Sequence, residues 1–306
     1  MKLRLISEVP LGAFLSGGID SSTVVALMSK VSRSPVNTFC MGFGGNVGGY
    51  LDERKYARQV AERYATNHSE HEVVPQAAGL IQKIVTAFDE PFADDSAIPS
   101  YFVCKIAREN VTVALSGLGG DEVFAGYERY LGLMLSRLYN KIPAALREQG
   151  IRRVIESLGE RVDGHYTINH MKRFVRSSSL PPDERYFGFL SIMNPDIKET
   201  LFADAGGFAE HARVCQDLVQ SHFNSDQVLE KDDLLARAFY CDLKTYLPED
   251  ILAVTDRMSM LSALEVRVPF IDHVFLEFCA TIPSDCLLYT SPSPRDRTRS
   301  RMPSSA

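Results

Sequence analysis

Ser16-Gly17-Gly18-Ile19-Asp20-Ser21-Ser22 lies between an apolar run, Val9 to Leu15, that reads as a short buried strand and a stretch, Thr23 to Ser32, that reads as a helix. In the latter, Val24, Leu27, Met28 and Val31 fall at i, i+3, i+4 and i+7, on one helical face. Strand, glycine turn and helix start is the arrangement that turns backbone N–H groups toward an anion, with the helix dipole behind them. Gly17 and Gly18 let the main chain come close to a ligand, and Ser16, Ser21 and Ser22 add hydroxyl donors. Asp20 is out of place beside a phosphate, because like charges repel. Its carboxylate makes sense there if a Mg²⁺ ion stands between it and the phosphates. No Lys follows the glycines, so this is not a Walker A loop. The competing reading is a serine-rich turn that only caps a helix.

A second stretch repeats the design. Ser116-Gly117-Leu118-Gly119-Gly120-Asp121-Glu122 follows the β-branched run Val111 to Leu115 and precedes helix-compatible residues. Two such loops at the carboxyl ends of strands in one open sheet can face a single crevice, where α/β folds bind ligands. Asp20 and Asp121 could then share one or two Mg²⁺ ions on a triphosphate. A glycine turn with a solvated acidic cap would not account for the duplication.

SGGIDSS, then SGLGGDEVFAGYERY from Ser116, then DRMSMLSALEVRVPFIDH at 256–273 resemble the synthetase domain of glutamine-dependent asparagine synthetases, in the PP-loop ATP-pyrophosphatase superfamily. The resemblance runs from about Leu5 to Asp285. It implies an adenine nucleotide alpha hydrolase-like fold and an ATP-dependent ligase that adenylates a substrate carboxylate, releases pyrophosphate and accepts ammonia. It assigns the nucleotide to Leu15, Ser16, Gly17, Gly18, Asp20, Ser21, Ser22, Met41, Ser116 and Gly117, Mg²⁺ to Asp20 and Asp121, and catalysis to Asp20, Asp121 and Arg257. Met41, at the carboxyl end of the second strand, is equally a buried strand methionine. The acidic run Asp89 to Asp95 falls where the family approaches the acceptor substrate, and any one carboxylate in it is equally an ordinary solvated side chain. Glu265 and Arg267 read as a structural pair, and Val254 stands where relatives often carry a basic residue. Leu118 stands where asparagine synthetases usually carry Glu, which leaves aspartate as the substrate open. Another PP-loop activity, such as tRNA-base modification, and an inactive nucleotide-binding fragment are the alternatives.

Composition sets the outer limits. The chain has 306 residues, is 45% hydrophobic and carries a formal charge of −6, which argues against a nucleic-acid partner. Cys40, Cys104, Cys215, Cys241, Cys279 and Cys286 are scattered, with no C-x-x-C pair to imply zinc or a disulfide framework. No secretory leader and no membrane-length apolar run are seen, so the expected location is the cytoplasm. His68 and His71 are spaced i, i+3, which in a strand points them to opposite faces and away from a shared metal. A glutaminase domain is expected in the full-length protein, because family members carry one with an N-terminal cysteine, whereas here Met1-Lys2-Leu3-Arg4 leads directly into the synthetase segment. Free ammonia is therefore the expected nitrogen donor, and a homodimer is left open. Residues 286–306 switch abruptly to Ser, Pro and Arg and read as a non-native or disordered tail, in which Cys286 to Asp296 can be back-translated as a transposase sequencing adapter.

The expected fold is α/β. Residues from about 1 to 130 alternate strand and helix signals, which calls for a parallel open sheet with helices on both faces. Strands are expected at Val36–Phe43 and His68–Val74, helices at Asp52–Tyr64, Leu80–Phe88 and Pro99–Glu109, and a flexible glycine loop at 44–49. Residues from about 131 to 285 are expected to form a mostly helical part.

Overall fold

The computed structural model describes residues 1–44, 53–73, 78–159, 167–191, 198, 200–202, 208–228, 232–284 and 286–287. Most of the glycine loop, Asp52 and residues 288–306 lie outside that set. Five parallel strands form one sheet: β1 (Leu11–Phe14), β2 (Asn37–Phe43), β3 (Asn67–Val73), β4 (Val113–Leu115) and β5 (Glu265–Arg267), in the order β3-β2-β1-β4-β5. The strand order reverses at β1, so the crevice at the carboxyl ends of β1 and β4 is the topological switch point. Gly12 faces Ala114 and Ala13 faces Leu115 across this pair.

Parallel strands need crossovers, and helices supply them. In chain order these are α1 (Ile19–Val31), α2 (Arg54–Tyr64), α3 (Ala78–Phe88), α4 (Ala97–Arg108) and the short α5 (Gly120–Val123). The pleat divides the apolar residues between two faces. Ala13, Leu15, Cys40 and Leu115 pack with Val24, Val25 and Met28 of α1 and with Ala57 and Ala61 of α2. Phe14, Phe39 and Ala114 pack on the other face with Cys104 and Ala107 of α4 and with Leu264. Both faces of the sheet are thus covered, as the alternating sequence pattern requires.

Two compact units make up the described chain. The sheet unit comprises Met1–Phe124 and the later segment Tyr246–Ile282. The helical unit is built on Ala125–Thr245. It contains α6 (Glu128–Tyr139), a π-turn at Leu146–Arg152 leading into α7 (Arg153–Ser157), α8 (Thr167–Ser177), α9 (Pro182–Leu190), α10 (Phe208–Phe223) and α11 (Leu234–Lys244). The sequence-based division at residue 131 therefore needs correcting. The chain leaves the sheet unit at Phe124 and returns to it with α12 (Ala253–Met260), β5 and α13 (His273–Ala280). The reason is β5: three residues are too few for a periodic signal, and pairing Glu265, Val266 and Arg267 with Val113, Ala114 and Leu115 is a contact over some hundred and fifty residues of chain. Leu287, second residue of the segment read as a tail, is buried at 8% exposure.

The helical unit is organised around a buried ion pair. Asp242, fully buried, accepts from Arg129 Nε at 3.0 Å and Nη2 at 2.8 Å and from the Tyr130 hydroxyl at 2.5 Å. The Arg129 guanidinium also lies 3.8 Å from the centre of the Tyr127 ring. No helix among the described residues is long and apolar enough to cross a membrane.

Candidate active site

β1 ends at Phe14, and the chain turns at Ser16 and Gly17 into α1. Gly17 has φ +86°, a left-handed conformation, and a Cβ there would lie 2.5 Å from the Ala57 nitrogen and 2.6 Å from the Tyr56 carbonyl carbon. Glycine is required on both counts. The turn is closed by its own serines. Gly18 N–H donates to Ser16 Oγ (3.2 Å), Ser16 N–H donates to Ser21 Oγ (3.3 Å), and Ser21 Oγ donates to the Gly18 carbonyl (3.3 Å).

The helix begins at Ile19, four residues before the Thr23 expected from the sequence. Asp20, Ser21 and Ser22 therefore belong to its first turn rather than to the loop. Gly18 caps the helix without a side chain, so its leading N–H groups receive no side-chain cap. Asp20 is well placed against the helix dipole even without a ligand. The buried stripe of α1 is Ser21, Val24, Val25 and Met28, whereas Leu27 and Val31, expected on it, are 42% and 38% exposed. Ser21 has to face the turn to make its hydrogen bonds, and the stripe rotates to follow it at i, i+4 and i+7. Ser22 Oγ is buried without a hydrogen-bond partner, a donor left over inside the turn.

The second loop rests on the first. A Cβ on Gly120 would lie 2.5 Å from Asp20 Oδ1 and 2.9 Å from Oδ2, and one on Gly117 would lie 2.6 Å from the Ser21 nitrogen. The carboxylate of Asp20 therefore sits in a cradle that only a bare glycine leaves open, one residue before Asp121. Gly119, at φ +86°, caps α5, whose first turn carries Asp121 and Glu122. Ser116 is buried, its N–H bonds the Arg267 carbonyl at 2.9 Å, and its Oγ accepts from Leu118 N–H at 3.3 Å. Gly119 and Gly120 join the site through the structure, beyond the residues that the sequence singles out. The signal was present, because the second loop has one glycine more before its Asp than phosphate approach alone would need.

The other candidates fare differently. Leu15 is 1% exposed and packs in the core, its N–H bonded to the Phe39 carbonyl at 2.9 Å, so its side chain is structural. Met41 is half-buried on β2 opposite His71, beyond the last residue pair that β2 shares with β1. Arg257 is exposed on α12 and has no ion pair among the described residues; no described contact brings it to the loops. Val254, the expected basic position, is buried with Phe88, Ala97 and Met258, where a charge would be expensive. Arg267 donates to Glu265 at 2.6 Å and to the carbonyls of Arg4 and Ile6 at 2.9 and 2.8 Å, which makes it a clamp on the N-terminal segment. In the acidic run, Asp94 accepts from Ser96 N–H at 2.8 Å.

His68 and His71 do not converge. His68 Nδ1 shares a hydrogen bond with Thr38 Oγ1 at 2.9 Å, and burial pushes its pKa down against the pull of Glu70. Among the described residues no group of three or more His, Cys, Asp or Glu side chains could hold a metal ion. A cation here would need phosphate oxygens of a bound substrate beside one or two carboxylates, which is how Mg²⁺ is commonly held. Asp20 in its glycine cradle beside Asp121 fits that demand. Burial pushes the Cys104 and Cys241 thiols up to about 12, which removes both as nucleophiles.

A parallel sheet with two serine–glycine turns interlocked at its switch point, each leading an Asp into a helix, defines an open α/β protein with its crevice at the strand ends. The asparagine synthase family profile matches residues 1–290, and the chain belongs to that family. It is 31% identical over 286 residues to asparagine synthetase [glutamine-hydrolyzing] 1 of Bacillus subtilis, covering 93% of this chain and 42% of that protein. A putative asparagine synthetase [glutamine-hydrolyzing] 2 of Methanocaldococcus jannaschii is 34% identical over 272 residues, covering 88% of this chain and 49% of that one. A protein named amidase chyE, of Penicillium rubens, is 24% identical over 315 residues, covering 92% and 44%. The chain thus spans under half the length of these relatives.

Proposed function

We propose that this chain is an ATP-consuming, amide-forming ligase domain that activates a substrate carboxylate as an acyl-adenylate and passes the acyl group to ammonia. The observation that carries the proposal is the interlock of the two loops at the switch point, with Asp20 bedded on Gly120. Family membership supports the same chemistry.

A carboxylate oxygen of the substrate attacks the α-phosphorus of ATP, and the bond from that phosphorus to the bridging oxygen of the β-phosphate breaks. Pyrophosphate leaves. The leading N–H groups of α1 and the hydroxyl of Ser22 would receive its charge, in a turn whose shape Ser16 and Ser21 hold fixed. Ammonia then attacks the acyl carbon, loses a proton, and AMP departs with its carboxylate-bond electron pair. Asp20 and Asp121 would hold Mg²⁺, which would supply charge neutralisation of the triphosphate. No side-chain nucleophile is needed, and positioning carries much of the rate, about 7–11 kcal/mol where geometry is ideal.

Leu118 bears on the acceptor. It is half-buried and tied to Ser116 by its backbone, and its apolar side chain cannot move a proton where a Glu could. The acceptor is therefore proposed as aspartate or a related carboxylic acid, in a family that also includes a relative named an amidase. Pyrophosphate release and AMP formation should be measured with ammonium against a panel of carboxylic acids that includes aspartate. AMP and pyrophosphate in equal amounts with at least one acid is the expected result. Cleavage of ATP to ADP, or no turnover with any acid while MgATP binds, would overturn the proposal.

A further inference from the structure

The helical unit buries a cation whose counter-charge is not among the described residues. Arg185, on α9, is 7% exposed. Its Nη1 donates to Ser136 Oγ at 2.7 Å and its Nη2 to the Leu180 carbonyl at 2.9 Å, both neutral acceptors. Its Nε is buried with no acceptor. Burial, and after it the charges of Arg137 and Arg147, hold its pKa below the ordinary arginine value. A guanidinium nonetheless keeps its proton at any physiological pH, so the charge stays and has to be offset.

Two further donors line up with it along α6. Ser136 and Asn140 are one helical turn apart; Arg185 bonds the first and Arg147 Nη1 bonds the second, with Ser179 Oγ also 3.3 Å from Arg147 Nη1. The Nε of Arg147 is buried without an acceptor, and so is the hydroxyl of Tyr139, whose ring centre lies 5.6 Å from the Arg147 guanidinium. Arg137 gives one donor to the Asp232 carbonyl. Glu148, next to Arg147 in the chain, is already taken by Ser179 Oγ at 2.7 Å and by Arg152 at 3.1 Å. Asp183, on the helix of Arg185, accepts from Asn224 at 3.0 Å.

We infer that Arg185, Arg147 and Tyr139 form an anion site in the helical unit, built for a phosphate group and separate from the paired loops. Guanidinium N–H groups match phosphate oxygens in geometry and charge, and a phenol adds a third donor. An anion here offers acceptors to buried donors that have none and offsets the buried Arg185 charge, which has no ion pair among the described residues.

The test is hydrogen–deuterium exchange of the full chain in inorganic phosphate against chloride at equal ionic strength. Exchange over residues 128–139 and 182–190 should slow about fivefold when phosphate stands at about four times its dissociation constant. Peptides over residues 16–22 report the loops independently, so phosphate bound there is read apart. Arg185→Gln should abolish the protection of the two helices and leave that of the loops. Arg147→Gln, at a half-exposed position that threatens the fold less, should cut the protection severalfold and decides the matter if Arg185→Gln does not fold. Equal exchange in phosphate and chloride over both helices, or full protection persisting in Arg147→Gln, would overturn the site.

Discussion

At Ser16 and at Ser116 the same device closes the turn: the hydroxyl accepts the N–H two residues on, at 3.2 Å from Gly18 and at 3.3 Å from Leu118. Beyond that bond the two loops part. The left-handed glycine of the first comes directly after its serine and is pressed on the backbone of α2, whereas that of the second comes three residues after and is pressed on Ile271. The first loop opens a helix of thirteen residues, the second a helix of four. A helix dipole acts through its terminal turn and needs length behind it, so the first loop is the one proposed to take the anion. The second is its bed: Gly117 and Gly120 give up their side chains to Ser21 and Asp20. Two stretches alike in sequence thus differ in their surroundings: the first opens a long helix, and the second lies against Asp20 and Ser21.

The comparison breaks most visibly at the aspartates. Asp20→Asn should reduce AMP formation by about a hundredfold or more, on the scale of losing one electrostatic contact to the transition state. Its stability loss should stay within about 0.3–1 kcal/mol, the worth of a carboxylate at a helix start. Asp121→Asn should act likewise. The double variant should lose less than the product of the two if both serve one ion. Calorimetry finding MgATP affinity untouched in Asp20→Asn, or losses that multiply, would separate their roles.

Gly120→Ala and Gly17→Ala sharpen the contrast. The first should push the Asp20 carboxylate aside and cost about a hundredfold in turnover, the usual result of a misplacement near 1 Å, with a small change in the denaturation midpoint. Gly17→Ala should do the reverse in emphasis: a left-handed alanine costs about 1–2 kcal/mol before its overlap with Tyr56 and Ala57 is counted, and denaturant titration reads that directly. Equal stability losses in the two variants would mean that both glycines serve the same purpose.

The smallest effect tests what the loops share. Ser16→Ala and Ser116→Ala each remove one acceptor from a turn N–H, worth about 1 kcal/mol. Ser116 is 7% exposed and Ser16 is only half-buried, so the second should lose more in denaturant titration. The reverse order would show that water does not replace the hydroxyl at Ser16.

Much of this was legible because it is local. The runs before both serines are strands, the glycines mark turns, and the alternation of signals gives a sheet covered on both faces. The helix start at Ile19 was misread because Asp and Ser favour both loops and first helical turns, and only the backbone decides between them. The side chain of Leu15 serves the core, which an apolar residue after a strand does not reveal by its type. Glu265 and Arg267 do pair, as expected of a structural pair, yet Arg267's carbonyl partners at Arg4 and Ile6 lie at the other end of the chain.

The sequence by itself determined the order of strands and turns, the two Ser-Gly loops and the family to which they belong, because residue type and spacing carry that information over a few positions. Tertiary structure alone decided that Asp20 lies on Gly120, that β5 closes the sheet beside β4, and that Arg185 is buried among cations. Those are contacts between segments that local preference cannot bring together; they exist because the sheet fixes its strand ends, and the packed helices their side chains, at set distances in space.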